Sequence, residues 1–289
     1  MIQYPGGVIV NATFTGTTKQ DIVSNLQTHL TAAGWTVVSG GGTTDVLMQS
    51  ASTPTAANSI RVRLRSTNLT NCACLNMRNN AGDRVSQDYF LLPGAAKTYR
   101  VIANKYQFFC FTPGTSAARE FVCMGTLHTP SFLHGVINGE LGWIQGNCSN
   151  DGGTSIIRTF RGSLNTCDNS WNTTLCNGSM YNHDGGGGAL LMDQRLITPQ
   201  SAYYQQPTIG YRWHDDSLLI SDPLLAFGMS GSTDEAKIRG QLWGAMVLSA
   251  PFAADTILTA IDSHDWMAIT NSNSGDTQHG RGTLFVAIT

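Results

Sequence analysis

The sequence predicts a mainly β, α+β protein: an N-terminal antiparallel sheet with one packed helix, followed by a β-sandwich-like domain. Three observations carry this. Charged residues make up only 12% of the 289-residue chain while apolar residues reach 41%, about half the usual charge at an ordinary apolar content. The balance is filled by Thr, Ser, Asn and Gly, which favour strands and tight turns over long exposed helices. Short apolar runs recur between turn signals along the whole length.

The strongest of these runs lies between Tyr99 and Met124, where two aromatic and β-branched stretches flank a Pro113-Gly114 break. Such stretches read as neighbouring strands. Tyr106, Phe108 and Cys110 fall on one face and Gln107, Phe109 and Phe111 on the other. Phenylalanine on both faces predicts a strand covered on both sides, central in its sheet. Trp35 and Phe109 are expected to be fully buried.

Residues 8 to 14 read as the first strand. A helix follows, with Thr18 as its cap, Asp21 three residues on, and Ile22, Leu26, His29, Leu30 and Ala33 at helical spacing. Gly34 is placed to end it in the left-handed region, and His29 reads as semi-buried. Trp35 with Val37-Val38 begins a strand that turns through Gly40-Gly41-Gly42 and returns at Val46-Leu47-Met48. Ile60 to Arg65 alternates strictly, aliphatics toward a core and Arg61, Arg63 and Arg65 along the other face. That arginine row could bind phosphate or carboxylate, form an inter-subunit contact, or line a solvated sheet face. Residues 72 to 77 and 84 to 92 read as a hairpin around Asn79 to Asp83.

The expected boundary falls between residues 130 and 139, giving an α+β domain at 1–134 and a β-sandwich-like domain at 135–289. The second begins with a long Gly/Asn-rich loop region, 145–188, and then carries short apolar runs at 189–192, 218–220, 224–227, 241–248, 266–269 and 283–288.

Several function classes are disfavoured. The net charge of −2 gives no electrostatic case for nucleic acid or an anionic membrane. No apolar run reaches the ~20 residues of a membrane helix. Met1 to Gly7 lacks the basic and apolar regions of a signal peptide, so folding in a cytoplasm is expected. There is no Walker loop and no Gly-x-Ser-x-Gly elbow. His183-Asp184, His214-Asp215-Asp216 and Asp262 with His264 and Asp265 are histidine–carboxylate clusters without metal-ligand spacing. No catalytic, cofactor or metal residue is assigned. A glycan hydrolase would need a carboxylate pair, for which Asp184, Asp215 and Asp216 are the candidates.

Seven cysteines are present, an odd number. Cys110 and Cys123 lie in the apolar spine and read as small hydrophobes; Cys72-Ala73-Cys74 is a weak zinc signature alone. Cys148, Cys167 and Cys176 fall in the polar loop region and are the candidates for disulfides or cross-links. Of the six tryptophans, Trp35, Trp243 and Trp266 sit in apolar runs and are expected in cores. Trp171 and Trp213 lie in polar loops and are candidate surface contacts, such as sugar platforms.

Two segments carry a family resemblance. One runs from Leu30-Thr31-Ala32-Ala33-Gly34-Trp35-Thr36 through Arg61-Val62-Arg63-Leu64 to the Tyr99–Cys123 spine. The other runs from Gly240-Gln241-Leu242-Trp243-Gly244-Ala245 through Asp262-Ser263-His264-Asp265-Trp266 to Arg281-Gly282-Thr283-Leu284-Phe285-Val286. Together they cover over half the chain, and both are similar to uncharacterised structural proteins of tailed bacteriophages. The resemblance implies a non-enzymatic virion subunit, made in the bacterial host cytoplasm and present in many copies. Its expected place is the neck, collar or tail (sheath-like or baseplate); the alternatives are a capsid decoration protein or a receptor- or carbohydrate-binding virion module. Expected partners are copies of itself and other virion proteins, with no cofactor, nucleic acid, membrane or small-molecule ligand.

Overall fold

The computed structural model describes residues 2–42, 44–50, 61–67, 71–78, 88–114, 120–126, 128, 141–146, 179–182, 194–197, 220–221, 224–227, 237–248, 252–269 and 283–289. Strand β1 (Val10–Thr15) leads into helix α1 (Lys19–Ala32). Strands β2 (Thr36–Gly41), β3 (Asp45–Gln49), β4 (Arg61–Arg65), β5 (Ala73–Arg78) and β6 (Tyr89–Leu91) form a five-stranded antiparallel sheet in that order. The chain then makes β7 (Thr98–Ala103), β8 (Gln107–Phe111), β9 (Phe121–Thr126), β10 (Leu141–Gly146) and β11 (Ser179–Asn182). These line up beside β1 in a six-stranded sheet, order β1-β7-β8-β9-β10-β11. Of the remaining strands, β12 (Gln194–Ile197), β14 (Leu224–Phe227) and β15 (Lys237–Gln241) form a three-stranded sheet. The others, β13 (Ile220–Ser221), β16 (Ala245–Leu248), β17 (Ile257–Ile261), β18 (His264–Ala268) and β19 (Thr283–Ala287), form a five-stranded one, order β13-β16-β19-β18-β17. Every strand pairing is antiparallel, and the protein is mainly β with one helix among the described residues.

The helix starts where the sequence places it. Thr18 Oγ1 accepts from Asp21 N at 3.1 Å and Asp21 Oδ2 accepts from Thr18 N at 2.8 Å, a reciprocal capping box. It stops at Gly34, whose φ of 99° is open to glycine at little cost. Ile22, Val23, Leu26 and Leu30 are buried, while His29 is half-buried with its ring near Phe14. The helix touches both β1 and β7 of the six-stranded sheet and β2, β3 and β5 of the first five-stranded sheet. One core therefore joins three layers: Val46, Met48, Val62, Leu64 and Leu75 from the first sheet, the apolar helix face, and Tyr99, Val101, Phe108, Cys110, Val122 and Met124 from the second.

Strand β8 lies third of six, and all five of its residues are buried. Phe108 and Cys110 belong to the helix-side core. Phe109 and Phe111 point the other way, onto the face that meets the C-terminal segment, and are buried there, Phe109 opposite Ile102 and Phe111 opposite Arg100. Across this second interface Arg100 Nη1 meets Met267 Sδ at 2.9 Å, and Gln107 clasps the Trp243 backbone, donating through Nε2 to its carbonyl and accepting from its N–H. The stretch from Tyr99 to Phe111 is two strands, not one. Asn104 breaks it: its Oδ1 accepts from the N–H groups of Tyr106 (2.9 Å) and Gln107 (3.1 Å), closing an Asx-type turn. Trp35 then locks that turn to the end of the helix by donating Nε1–H to Asn104 O at 2.8 Å.

The two expected segments share elements. Strands β10 and β11, beyond residue 134, complete the six-stranded sheet, and β11 lies inside the stretch expected to be loop. In the other direction, Ile2, Tyr4 and Ile9 pack on the C-terminal core of Met246, Trp266, Ala268, Phe285 and Ala287. Strands β12 and β17 have no counterpart among the expected runs. Residues 189–192 lie outside the described residues.

Because Phe109 is fully enclosed at the middle of this stack, Phe109→Ala is expected to cost about 3–5 kcal/mol through lost burial and a residual cavity. Denaturant unfolding measures it, and a loss under about 1 kcal/mol would show that the site is not a packed core position.

Candidate functional site

The arginine row is a candidate site from the sequence whose side chains are described. Strand β4 alternates: Val62 and Leu64 are sealed in the core, while Arg61, Arg63 and Arg65 stand half-buried on the outer face. Register places Arg61 opposite Arg78, Arg63 opposite Asn76 and Arg65 opposite Cys74. Arg63 grips Asp45 of β3 with both arms of its guanidinium, Nε to Oδ1 at 2.8 Å and Nη2 to Oδ2. This hydrogen bond raises the Arg63 pKa further, so the group stays cationic. Arg65 Nη2 reaches Asp88 at 3.3 Å and the Cys74 thiol at 3.5 Å. Asp88 in turn accepts from Asn76 Nδ2 at 2.6 Å, and Asn76 Oδ1 accepts from Arg78 Nε at 3.0 Å. A polar chain thus crosses β4, β5 and the approach to β6.

Beside this chain lies an open hollow of about 360 Å³, lined by Ser39, Gly40, Asp45, Leu47, Arg63 and Arg78. Gly40 shapes it: at φ 72°, a Cβ there would fall 2.0 Å from Asp45 O. The wall offers guanidinium donors in fixed forks, one carboxylate and one hydroxyl, groups suited to hydrogen bonds and ion pairs.

Two other polar clusters serve the fold. Glu120, 3% exposed, accepts from Leu92 N at 2.9 Å and from Tyr99 OH, and pairs with Lys97. Burial, then the neighbouring Glu120 carboxylate, raises the Tyr99 pKa strongly, so its hydroxyl stays protonated and donates. The cluster of Asp262, His264 and Asp265 forms a hairpin turn. Asp262 and Ser263 take φ 52° and 64°, the two positive values of a type I′ turn between Ile261 and His264. Asp262 Oδ2 accepts from Tyr4 OH at 2.6 Å, the His264 ring stacks on Tyr4 at 4.3 Å, and Asp265 Oδ1 accepts from Ala260 N at 3.1 Å. Among the described residues no group of three or more His, Cys, Asp or Glu side chains could hold a metal ion. No described helix is long and apolar enough to cross a membrane.

Trp35 and Trp266 are buried as expected. Trp243 is only half-buried. It stands at the turn before β16, its ring stacked on Tyr106 at 4.2 Å and edge-on to His128 at 4.8 Å. Cys72, Cys74, Cys110 and Cys123 are buried. Burial, reinforced by Asp88 and opposed by Arg65, pushes the Cys74 pKa up to about 12; burial and Glu120 raise that of Cys110. Cys148, Cys167, Cys176, Trp171 and Trp213, with His183, Asp184, His214, Asp215 and Asp216, lie outside the described residues. No protein-family model matches this sequence, and no curated protein is significantly similar to it.

Two outcomes follow from this geometry. Alkylation of the native protein near neutral pH should leave Cys72, Cys74, Cys110 and Cys123 unmodified, with all four labelled only after denaturation, since the thiolate is the reactive form; peptide mass mapping reads the difference. Glu120→Ala, which strands Lys97 and the Leu92 N–H while Tyr99 keeps the Leu92 carbonyl as an acceptor, should cost about 3–5 kcal/mol, whereas Arg63→Ala on the open face should cost about 1 kcal/mol or less. Equal losses in thermal or denaturant unfolding would contradict this ranking.

Proposed function

We propose that this chain is a non-enzymatic structural subunit of a tailed-bacteriophage virion, built into the particle in many copies. Its place is in the neck, collar or tail. One observation supports the reading most: the described charged and polar groups that could have done chemistry are used to build the fold. The Asp262–His264–Asp265 cluster closes a hairpin, Glu120 anchors the chain as it leaves β6 toward β7, and Arg63 and Arg65 tie segments of their own sheet together. A chain poor in charge suits large shared interfaces, whose cores are depleted of charge. The two segments that resemble phage structural proteins include β4, β8, β16 and β18, interior strands of three different sheets.

Mass spectrometry of particles purified from the phage that encodes the chain is the direct test. The protein should be found in them at many copies per particle. Recovery from infected-cell lysate alone, never from particles, would overturn the reading.

A further inference from the structure

Charge is shared unevenly along this chain. From Thr36 to Leu91, the span that makes the first five-stranded sheet, the sequence holds five arginines against three aspartates, with no lysine, glutamate or histidine. That span is positive in a chain whose net charge is −2. Alternation decides where the charge goes. Val46, Met48, Val62 and Leu64 are sealed in the core, so Asp45, Arg61, Arg63 and Arg65 stand on the outer face. The register of β5 with β4 brings Asn76 and Arg78 to the same face. There Arg61 lies directly opposite Arg78, a like-charge pair across two strands that weakens a sheet and that a nearby anion relieves.

The open hollow of about 360 Å³ lies on this face, and two guanidiniums, those of Arg63 and Arg78, line it. Both are held in place by neighbours. Asp45 accepts from Arg63 Nε at 2.8 Å and from its Nη2, and Asn76 Oδ1 accepts from Arg78 Nε at 3.0 Å. Both oxygens of Asp45, the one lining carboxylate, are thus turned to Arg63, and the lining side chains carry one more positive charge than negative. The exposed Ser39 adds a hydroxyl from the β2 side, where register sets it opposite Leu47 just past the irregularity after Val37. The wall closes at Gly40 only because that residue has no Cβ, which would fall 2.0 Å from Asp45 O.

We propose that this hollow binds the phosphate group of a small molecule, with Arg63 and Arg78 as charged donors and Ser39 as a hydroxyl donor. Guanidinium suits the role, being always charged, weakly hydrated and rich in N–H groups. Shape favours phosphate over carboxylate. Arg63 and Arg78 stand on neighbouring strands and each has its Nε committed, so they meet a ligand from separate directions and not as one flat fork. A tetrahedral phosphate presents oxygens in several directions, whereas a carboxylate presents two in one plane and is matched by a single fork. Side chains already fixed by Asp45 and Asn76 lose little freedom when the ligand arrives, which lowers the cost of binding. The volume lies near the low end of small-molecule sites, about 300–1,000 Å³. A nucleic-acid backbone would need a longer line of cations than two. The proposal goes beyond the virion reading and does not rest on it. It also departs from the expectation, drawn from the resemblance, that no small molecule is bound.

The test is titration of the full chain with inorganic phosphate and with glycerol phosphate at constant ionic strength, read by calorimetry. Both should bind saturably at one site. Arg78→Gln should weaken binding about tenfold or more, the equivalent of one charge-assisted hydrogen bond, and Ser39→Ala should weaken it by a smaller factor. Lys105→Gln removes the same charge away from the hollow and should leave binding unchanged. Circular dichroism verifies that each variant is folded. A second readout needs no variant: on adding phosphate to wild-type protein, the backbone amide signals of Ser39 and Gly40 and the Nε–H signal of Arg78 should shift together in nitrogen–proton spectra. Absence of saturable binding would overturn the proposal, as would shifts that spare these three signals. Equal weakening by Lys105→Gln and Arg78→Gln would reduce the effect to general charge attraction. Tighter binding of succinate than of glycerol phosphate would overturn it in favour of a carboxylate site, and tighter binding of a short oligothymidylate in favour of nucleic acid. None of these results depends on whether the chain is found in virions, so the two proposals fail separately.

Discussion

The structure depends on the burial of one sheet from both sides. The centre of the six-stranded sheet packs on the helix and the first sheet with one face and meets the C-terminal segment with the other, and β8 has no exposed residue. A strand in that central position carries no solvated face, so β8 reads as a continuous apolar run, whereas β1 at the edge alternates. The few polar groups that enter it must bring partners, because an unpaired buried polar group costs about 1–3 kcal/mol. Gln107 does so by clasping the Trp243 backbone through its amide, and Glu120 by collecting Leu92, Lys97 and Tyr99. These pairings fix how the layers sit on one another, since each has its geometry only when both layers are in register.

How much of this was legible in the sequence differs by element, for physical reasons. The helix was readable at both ends because its signals are local: Thr18 and Asp21 act on each other's backbone, and Gly34 acts through its own φ. Strand β4 was readable because one buried and one open face impose strict alternation. The turn at Asn104 was not seen, because nothing in Ala103-Asn104-Lys105 has the strength of a Pro-Gly pair; its signal was an asparagine able to cap two N–H groups with one side chain. Strand β17 escaped because an exposed edge needs no apolar periodicity, and β11 because its neighbours in sequence are rich in Gly, Asn and Ser.

The candidate site was legible only in part. Alternation showed that Arg61, Arg63 and Arg65 share a face, but the carboxylates that answer them come from other strands. Asp45 lies on β3 and Asp88 just before β6, 18 and 23 positions away from their partners. Pairing across strands is set by register, and register follows from the whole sheet. The same holds for Asp262, His264 and Asp265, which by composition could have been an acid–base cluster. Their roles come from Tyr4, more than two hundred residues distant, and from two left-handed turn residues that a hairpin of this tightness demands.

Scarcity of charge acts on the folded state and on the surface in opposite ways. Inside, it removes desolvation penalties, and three sheets can stack with few buried ions to satisfy. Outside, it removes the usual means of keeping sheet edges apart, which is charge placed on the edge itself. Here the described cations that could have served are drawn inward: Arg63 and Arg65 are tied to their own sheet, and Lys97 is paired with Glu120. The edges that remain, β2 and β17, are left with threonine, serine, glycine and aliphatic side chains. For a protein that acts alone such edges are a hazard, because contact between copies needs no charge to be stripped of water. In an assembling subunit the same property lowers the cost of the contact, and the bulge in each edge restricts how far it can extend. The composition first visible in the sequence thus shows itself twice, in a core with few ions to satisfy and in described edge strands that carry no charge.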